Sequence, residues 1–376
     1  MKKLLPITFI LFLVLSVYAE ENKEPVIYKS HEYSINEQED GSYVYKDSAG
    51  NEISGFVKLI QKDGTYKIGT LINGKFDGIA KVYYRSGNLW FVTPYIDGKV
   101  HGIHKCYYES GALESEIPYK DDEKQGIEKK YYESGALESE IPYKDDKQHG
   151  IAKYYYESGA LYWVSPYKDG KTDGIEKKYY ESGALESEIP YKDDEKQGIE
   201  KKYYESGELK SETPYKDDKA NGIAKRYYES GVLEWETPYI DGKKHGIEKG
   251  YYESGELVWE ILYKDDKANG IAKGYFESGE LVWEILYKDG KKHGIAKSYY
   301  KSGNLGYICP YANDKLDGVA KNYYNDGSIK VLIYYKNGKA YKGYIWTIFG
   351  KKSQLTNAHL YNINNNKGME GNLCAP

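Results

Sequence analysis

The chain has 376 residues, with 58 acidic against 53 basic side chains and a formal charge of -5 at pH 7. That mild acidity argues against a nucleic-acid partner, because phosphates demand a basic patch. Its 45 Tyr, set against 7 Phe and 6 Trp, favour half-buried strands and exposed binding faces, since tyrosine joins apolar area to a polar tip.

Lys2 and Lys3 open the chain, followed by an apolar run from Leu4 to Val17 and the small-residue stretch Val17-Tyr18-Ala19 before Glu20. These are the three regions of a secretory signal peptide, here residues 1–19. The run is shorter than the ~20 apolar residues a spanning helix needs. No Cys follows the cleavage point for lipid attachment, and no second apolar stretch reaches spanning length. The expectation is an exported protein with no transmembrane span after cleavage. It would sit in the periplasm, on the outer surface with at most peripheral envelope association, or outside the cell.

Residues 20–77 read as a polar segment and a degenerate N-terminal capping repeat. Nothing resembles a strong element before Tyr43-Val44-Tyr45, after which Tyr45–Gly55 is a worn copy of later turns with three extra residues. A cap is needed because the terminal unit of a stacked array must hide an open edge.

Residues 78–340 hold a 24-residue unit. Its paired aromatics begin at Tyr83, Tyr107, Tyr131 and so on to Tyr323, eleven times at intervals of 24. A short fixed period means each unit buries its apolar face on its neighbours. The first run is Gly-Ile-x-Lys-x-Tyr-Tyr, followed by a Glu-Ser-Gly turn. The second run alternates: Leu257, Trp259, Ile261 and Tyr263 fall on one face, Val258, Glu260 and Leu262 on the other. Period two over seven residues predicts a half-buried strand, and Lys288-Asp289-Gly290-Lys291 is a hairpin turn. Where Asp-Asp replaces Asp-Gly, the second Asp stands in for glycine, since Asp tolerates left-handed backbone. Pro118 and Pro142 remove a ladder donor, which predicts that the second strand ends near them. Gly126 and its equivalents predict a tight bend or close sheet packing. The fold class is therefore all-β: an elongated, twisted antiparallel meander of about eleven β-hairpin repeats. Residues 107–130 and 179–202 are identical, which suggests block duplication and variable array length.

This pattern resembles the MORN (membrane occupation and recognition nexus) repeat in its bacterial second variant, over about 79–340. It rests on in-frame copies of Tyr-Tyr-x-x-Gly-x-Leu with Tyr-x-Asp-Gly-Lys-x-x-Gly. The resemblance implies a single sheet of hairpins that acts as a binding scaffold. Arrays of this kind are often labelled antitoxin-like, and other MORN arrays accompany lipid kinases, whereas no kinase domain is present here.

Residues 341–376 read as a closing strand, Tyr344–Phe349, and an Asn-rich loose tail. Cys106 and Cys309 lie about eight repeats apart, ~77 Å at two strands per repeat, too far for one disulfide. Cys309 with Cys374 is one alternative, and three unpaired thiols is the other.

Four histidines, His101, His149, His245 and His293, precede leading glycines. They stand no closer than ~19 Å, while ligands of one zinc lie within about 4 Å. Asp77, Gln125, Asp173, Asn221 and Asn269 take the same position, which marks a turn residue. The acidic turns show no Ca²⁺ ligand register, so no metal or cofactor is expected. The repeated turn serines lack a His or Cys partner in fixed register, and a nucleophile needs an adjacent base. Catalysis ordinarily uses one unique site; these residues are repeated, so the expectation is no enzyme.

The aromatic line is the candidate site. Trp163, Trp235, Trp259, Trp283 and Tyr307 share one register, which holds Ser115, Ser139, Ser187 and Ser211 in other units. Neighbours in it stand ~9.6 Å apart. Either these side chains fill a curled interior or part of the row lies open as a groove. The first functional reading is a scaffold that binds a protein or cell-surface partner through this Tyr/Trp face. Cell-wall or glycan binding is the alternative, and an antitoxin-type inhibitor of a toxin is the third.

Overall fold

Turn chemistry sets the hairpins. In the computed structural model, which describes residues 24–39 and 41–364, Asp121 and Asp122 have φ of 54° and 74°, and Asp289 at 51° precedes Gly290 at 82°. Positive φ at both central positions is the type I′ turn, whose twist matches that of the strands it joins. Asp does replace glycine there. The other turn closes by the Tyr132 and Gly135 amides, which donate to the carbonyls of Ala136 and Tyr132 at 2.9 and 2.8 Å.

Each repeat but the last holds a six-residue strand, an eight-residue strand and an unforeseen two-residue strand, as in Gly126–Tyr131, Leu137–Lys144 and Lys147–Gln148. The short strand pairs back on Tyr143 and Lys144. The eight-residue strand does not end at proline, contrary to the sequence expectation. Pro118 stands mid-ladder opposite Ile103, and its carbonyl accepts from the Gln125 amide at 2.9 Å. Its nitrogen points the same way, toward a neighbour paired only at Ser115 and Glu116. The donor that proline lacks therefore falls where the ladder has already opened. Gly126, at φ 113°, packs against the Pro118 ring, which a Cβ would meet at 3.1 Å.

A second correction concerns the leucines. Gly250 pairs with Trp259 but Tyr251 pairs with Leu257, so a bulge at Val258 intervenes. Opposed residues share a face, which puts Leu257 with Tyr251 rather than with Trp259, Ile261 and Tyr263.

The chain forms two compact units, Met1–Gly183 and Ala184–Pro376, and each is all-β meander. In the first, Val26–Lys29 lies parallel on Gly55–Ile60, which starts an antiparallel run through Tyr66–Ile72 and onward to Gly174–Tyr179. A separate hairpin, Tyr33–Glu37 with Tyr43–Asp47, folds its Tyr33 and Tyr45 onto the core of Ile53, Val57, Leu59, Leu71, Phe76 and Ala80. Strands thus begin before Tyr43, where only polar chain was expected.

The second unit runs from Leu185–Lys192 to Ile329–Lys336 and closes with Lys339–Trp346 and Lys352–Gln354. The closing strand therefore starts earlier than expected and leaves Ile348 and Phe349 exposed. The helix Asn357–Asn364 follows, which the Asn-rich composition did not reveal. Thr356 caps it, its hydroxyl accepting from the His359 amide at 3.3 Å,. Leu355 and Leu360 complete a core with Ile285, Ala296, Cys309, Ala320 and Ile333. Cys309 is disulfide-bonded and Cys106 is free. The expected leader 1–19 and Cys374 lie outside the described residues. Among those residues no helix is long and apolar enough to cross a membrane.

Candidate functional site

Strand alternation divides each unit's sheet into two faces. On one, opposed residues such as Glu128 with Ile141 and Ala152 with Ser165 form a buried spine. On the other, Ile199, Ile223, Ile247, Ile271 and Ile295 stand about half exposed. The aromatic row lies on the spine face, one register along from the spine.

Trp163, in the first unit, stands between Tyr154 and Lys178 on the flanking strands. It stacks on Tyr154 with ring centroids 4.5 Å apart at 18°, and the Lys178 ammonium lies 5.9 Å from the ring. Burial pushes the Tyr154 hydroxyl up to about 12. Trp163 is thus filled in on both sides.

The second unit brings four together in successive hairpins. Trp235 stands between Arg226 and Gly250, Trp259 between Gly250 and Gly274, and Trp283 between Gly274 and Ser298. Tyr307 stands between Ser298 and Asn322. A Cβ on Gly250 would sit 2.5 Å from the Trp259 ring, and one on Gly274 would run into Trp283. These two indoles therefore lie across bare backbone of their own hairpins, where no side chain intervenes. Trp283 and Tyr307 also pack against the buried core, yet all four remain partly exposed. The row is half-embedded: Trp259 and Trp283 rest against the sheet backbone, and all four rings are only partly buried. Sequence reasoning found the tryptophans and missed Gly250 and Gly274; the signal was glycine at a first-strand position that carries a side chain in the other repeats.

Beside the row, on the same face, the spine carries charge. Glu248 is buried, accepting from Lys244 at 2.6 Å and from the Thr237 hydroxyl at 2.8 Å. Lys244 reaches over the Tyr263 ring, 5.0 Å from its centroid. Burial alone would raise the Glu200 carboxyl, but hydrogen bonds from Lys196 and Lys202 carry it below its ordinary value. On the reverse face Tyr251 donates to Glu236 at 3.0 Å. Burial first, then that carboxylate, push its hydroxyl up to about 12.

Three of the four histidines in the line form turn caps, while the buried Nδ1 of His293 has no hydrogen-bond partner. His101, His149 and His245 each stand 3.1–3.5 Å from the turn aspartate of the next repeat, Asp121, Asp169 and Asp265. Gln125 and Gln197 serve the same place by accepting the Asp145 and Asp217 amides at 2.9 Å. Among the described residues no group of three or more His, Cys, Asp or Glu is placed to hold a metal.

No curated protein matches the chain. Solved structures that align with it include TcdB2-TccC3, TcdB2-TccC3-Cdc42, and TcdB2-TccC3 without its hypervariable C-terminal region. Identities are 13%, 12% and 11%, covering 79%, 85% and 88% of this chain and 20%, 21% and 23% of theirs. The chain thus spans about a fifth of their length, and TM-scores of 0.16, 0.15 and 0.16 carry no argument. The model of the MORN repeat variant matches residues 76–97, 100–121, 124–145, 148–169, 172–193, 196–217, 220–241, 244–265, 292–313 and 316–337. Residues 266–291, between two matches, keep the frame and the same strands, Gly270–Tyr275 and Leu281–Lys288. With more than half its length matched and every matched segment folded as the same hairpin, the chain belongs to the MORN repeat variant family.

Proposed function

We propose that this chain is an exported, non-enzymatic repeat scaffold that binds a protein or cell-surface partner through the Trp/Tyr face. One observation carries this: Trp235, Trp259, Trp283 and Tyr307 hold one register in consecutive hairpins, half-embedded and partly exposed. Aromatic side chains of that kind supply most of the energy in many interfaces. Repetition multiplies weak contacts through effective concentration.

The test is binding of the purified chain to isolated cell envelopes, with Trp259→Ala and Trp283→Ala combined. Affinity is expected to fall at least about tenfold while the β circular dichroism persists. Unchanged binding would remove the aromatic face from the reading.

Glycan binding is the second reading, favoured by the two indoles laid over glycine, which leave a flat ring surface available for stacking. Retention on purified cell wall after protease treatment of the wall, lost in the same double variant, would select it over a protein partner.

A further inference from the structure

One hairpin departs from the repeat at two touching positions. His104 and Cys106 lie two residues apart on Gly102–Tyr107, on the spine face, where other repeats carry Ala or Glu at the first position and no Cys at the second. Cys106 Sγ stands 3.3 Å from His104 Nε2, and the other ring nitrogen, Nδ1, stands 2.8 Å from the Thr93 hydroxyl. Thr93 is buried, while Cys106 is free and partly exposed. Phe91 packs on the imidazole at 5.4 Å between centroids, and Tyr119 meets it edge-on at 6.3 Å. A thiol, an imidazole against it and a hydroxyl that fixes the imidazole are the parts of an activated nucleophile.

We propose that Cys106 is a thiol–disulfide exchange site that takes small disulfides, with His104 as its base and Thr93 as the residue that positions His104. We assign the Nδ1 proton to the bond with Thr93, which leaves the Nε2 lone pair facing sulfur. Nε2 takes the thiol proton as the Cys106 sulfur attacks one sulfur of the disulfide. A new S–S bond forms as the old one breaks, and the departing thiolate recovers the proton from His104. One disulfide is consumed and one is made, so no outside oxidant is needed.

The surroundings keep the base neutral. Burial, then the Lys67 ammonium, hold the His104 imidazole below its ordinary value, so it can accept a proton at neutral pH. Burial raises the Cys106 thiol, Ser115 opposing through a hydrogen bond and Lys130 through its charge, while Glu114 and Glu128 add to the rise. Tyr95, which Lys67 contacts at 3.2 Å, Tyr119 and Tyr84 are further titratable groups around the pair. A thiol kept protonated by its setting depends on a base for reactivity.

The experiment follows adduct formation by the full chain with oxidised glutathione, located by peptide mapping. The expected result is one adduct on Cys106, absent in Cys106→Ala. In His104→Gln the rate should fall about tenfold or more near neutral pH, and the gap should close at about pH 10, where hydroxide ionises the thiol unaided. Thr93→Val, nearly the same shape, should slow exchange in the same pH-dependent way. A purely structural role would slow exchange equally at every pH. An inert Cys106, or one whose rate is the same in wild type, His104→Gln and Thr93→Val at neutral pH, would overturn the proposal.

Discussion

The indole of Trp259 lies over the backbone of Gly250, its cross-strand partner, so closely that a Cβ there would sit 2.5 Å from the ring. A cross-strand glycine is what lets a tryptophan lie flat on a sheet. Gly250→Ala should therefore lift the ring, costing about 1–3 kcal/mol from overpacking. The measurement is indole fluorescence with urea unfolding: a red-shifted emission and a lower midpoint are expected. The same change at Gly255, a turn position whose Cβ would meet nothing within 4 Å, should leave the emission unmoved, although its φ of 91° brings strain of its own.

Hydroxyl rungs join neighbouring repeats. Tyr252 donates to the Tyr275 carbonyl at 3.0 Å, as Tyr132 does to Tyr155 at 2.8 Å. Phe276 occupies that position one repeat on and has no hydroxyl to offer the Tyr299 carbonyl. Tyr252→Phe should cost about 1 kcal/mol, and Phe276→Tyr should restore a rung of similar size. Denaturant midpoints moving in opposite directions would bear this out.

Acid should weaken the second unit through Glu200. Its carboxyl titrates below the ordinary 4.5 when folded, so the unfolded chain binds the proton more readily. The stabilisation is present above about 4.5 and is lost as pH falls through the depressed folded value. Lys196→Met should cost about 1.5–3 kcal/mol at neutral pH, the range for a hydrogen bond to a charged group. It should also flatten the acid limb, leaving Lys202, at 3.0 Å, as the remaining partner. Urea midpoints from neutral pH to about pH 3 read both effects.

Lys67 works in the opposite sense in the first unit. Its ammonium stands 4.0 Å from the Phe76 centroid and 4.7 Å from that of Tyr95, and burial brings its pKa down to about 8. Between about 8 and the ordinary 10.5 the unfolded chain holds more protons, so stability should rise with pH there. Below about 8 the folded state carries the whole penalty, about 3 kcal/mol. Lys67→Met keeps the apolar stem, so it should raise the melting temperature at neutral pH and remove the alkaline rise. A melting temperature that falls at neutral pH in the variant would contradict this account.

Sequence alone determined the hairpins. Period, alternation and turn residues are local, and Asp121-Asp122 or Glu133-Ser134-Gly135 encode their geometry within four residues, which is why strand type and turn position were legible. The row Trp235, Trp259, Trp283 and Tyr307 was also readable, because equal spacing in a repeat fixes equal register. Tertiary structure decided how that row is packed. Whether an indole is walled in, like Trp163 between Tyr154 and Lys178, or laid on Gly250 depends on the residue opposite it, and a bulge can shift that pairing by one. The coverage of the spine by Tyr33 and Tyr45 or by Leu360 likewise comes from segments distant in sequence and weak in pattern. The meeting of Thr93, His104 and Cys106 belongs to the same class: His104 and Cys106 depart from the repeat in sequence, but they form a cluster with Thr93 only when two strands place them side by side.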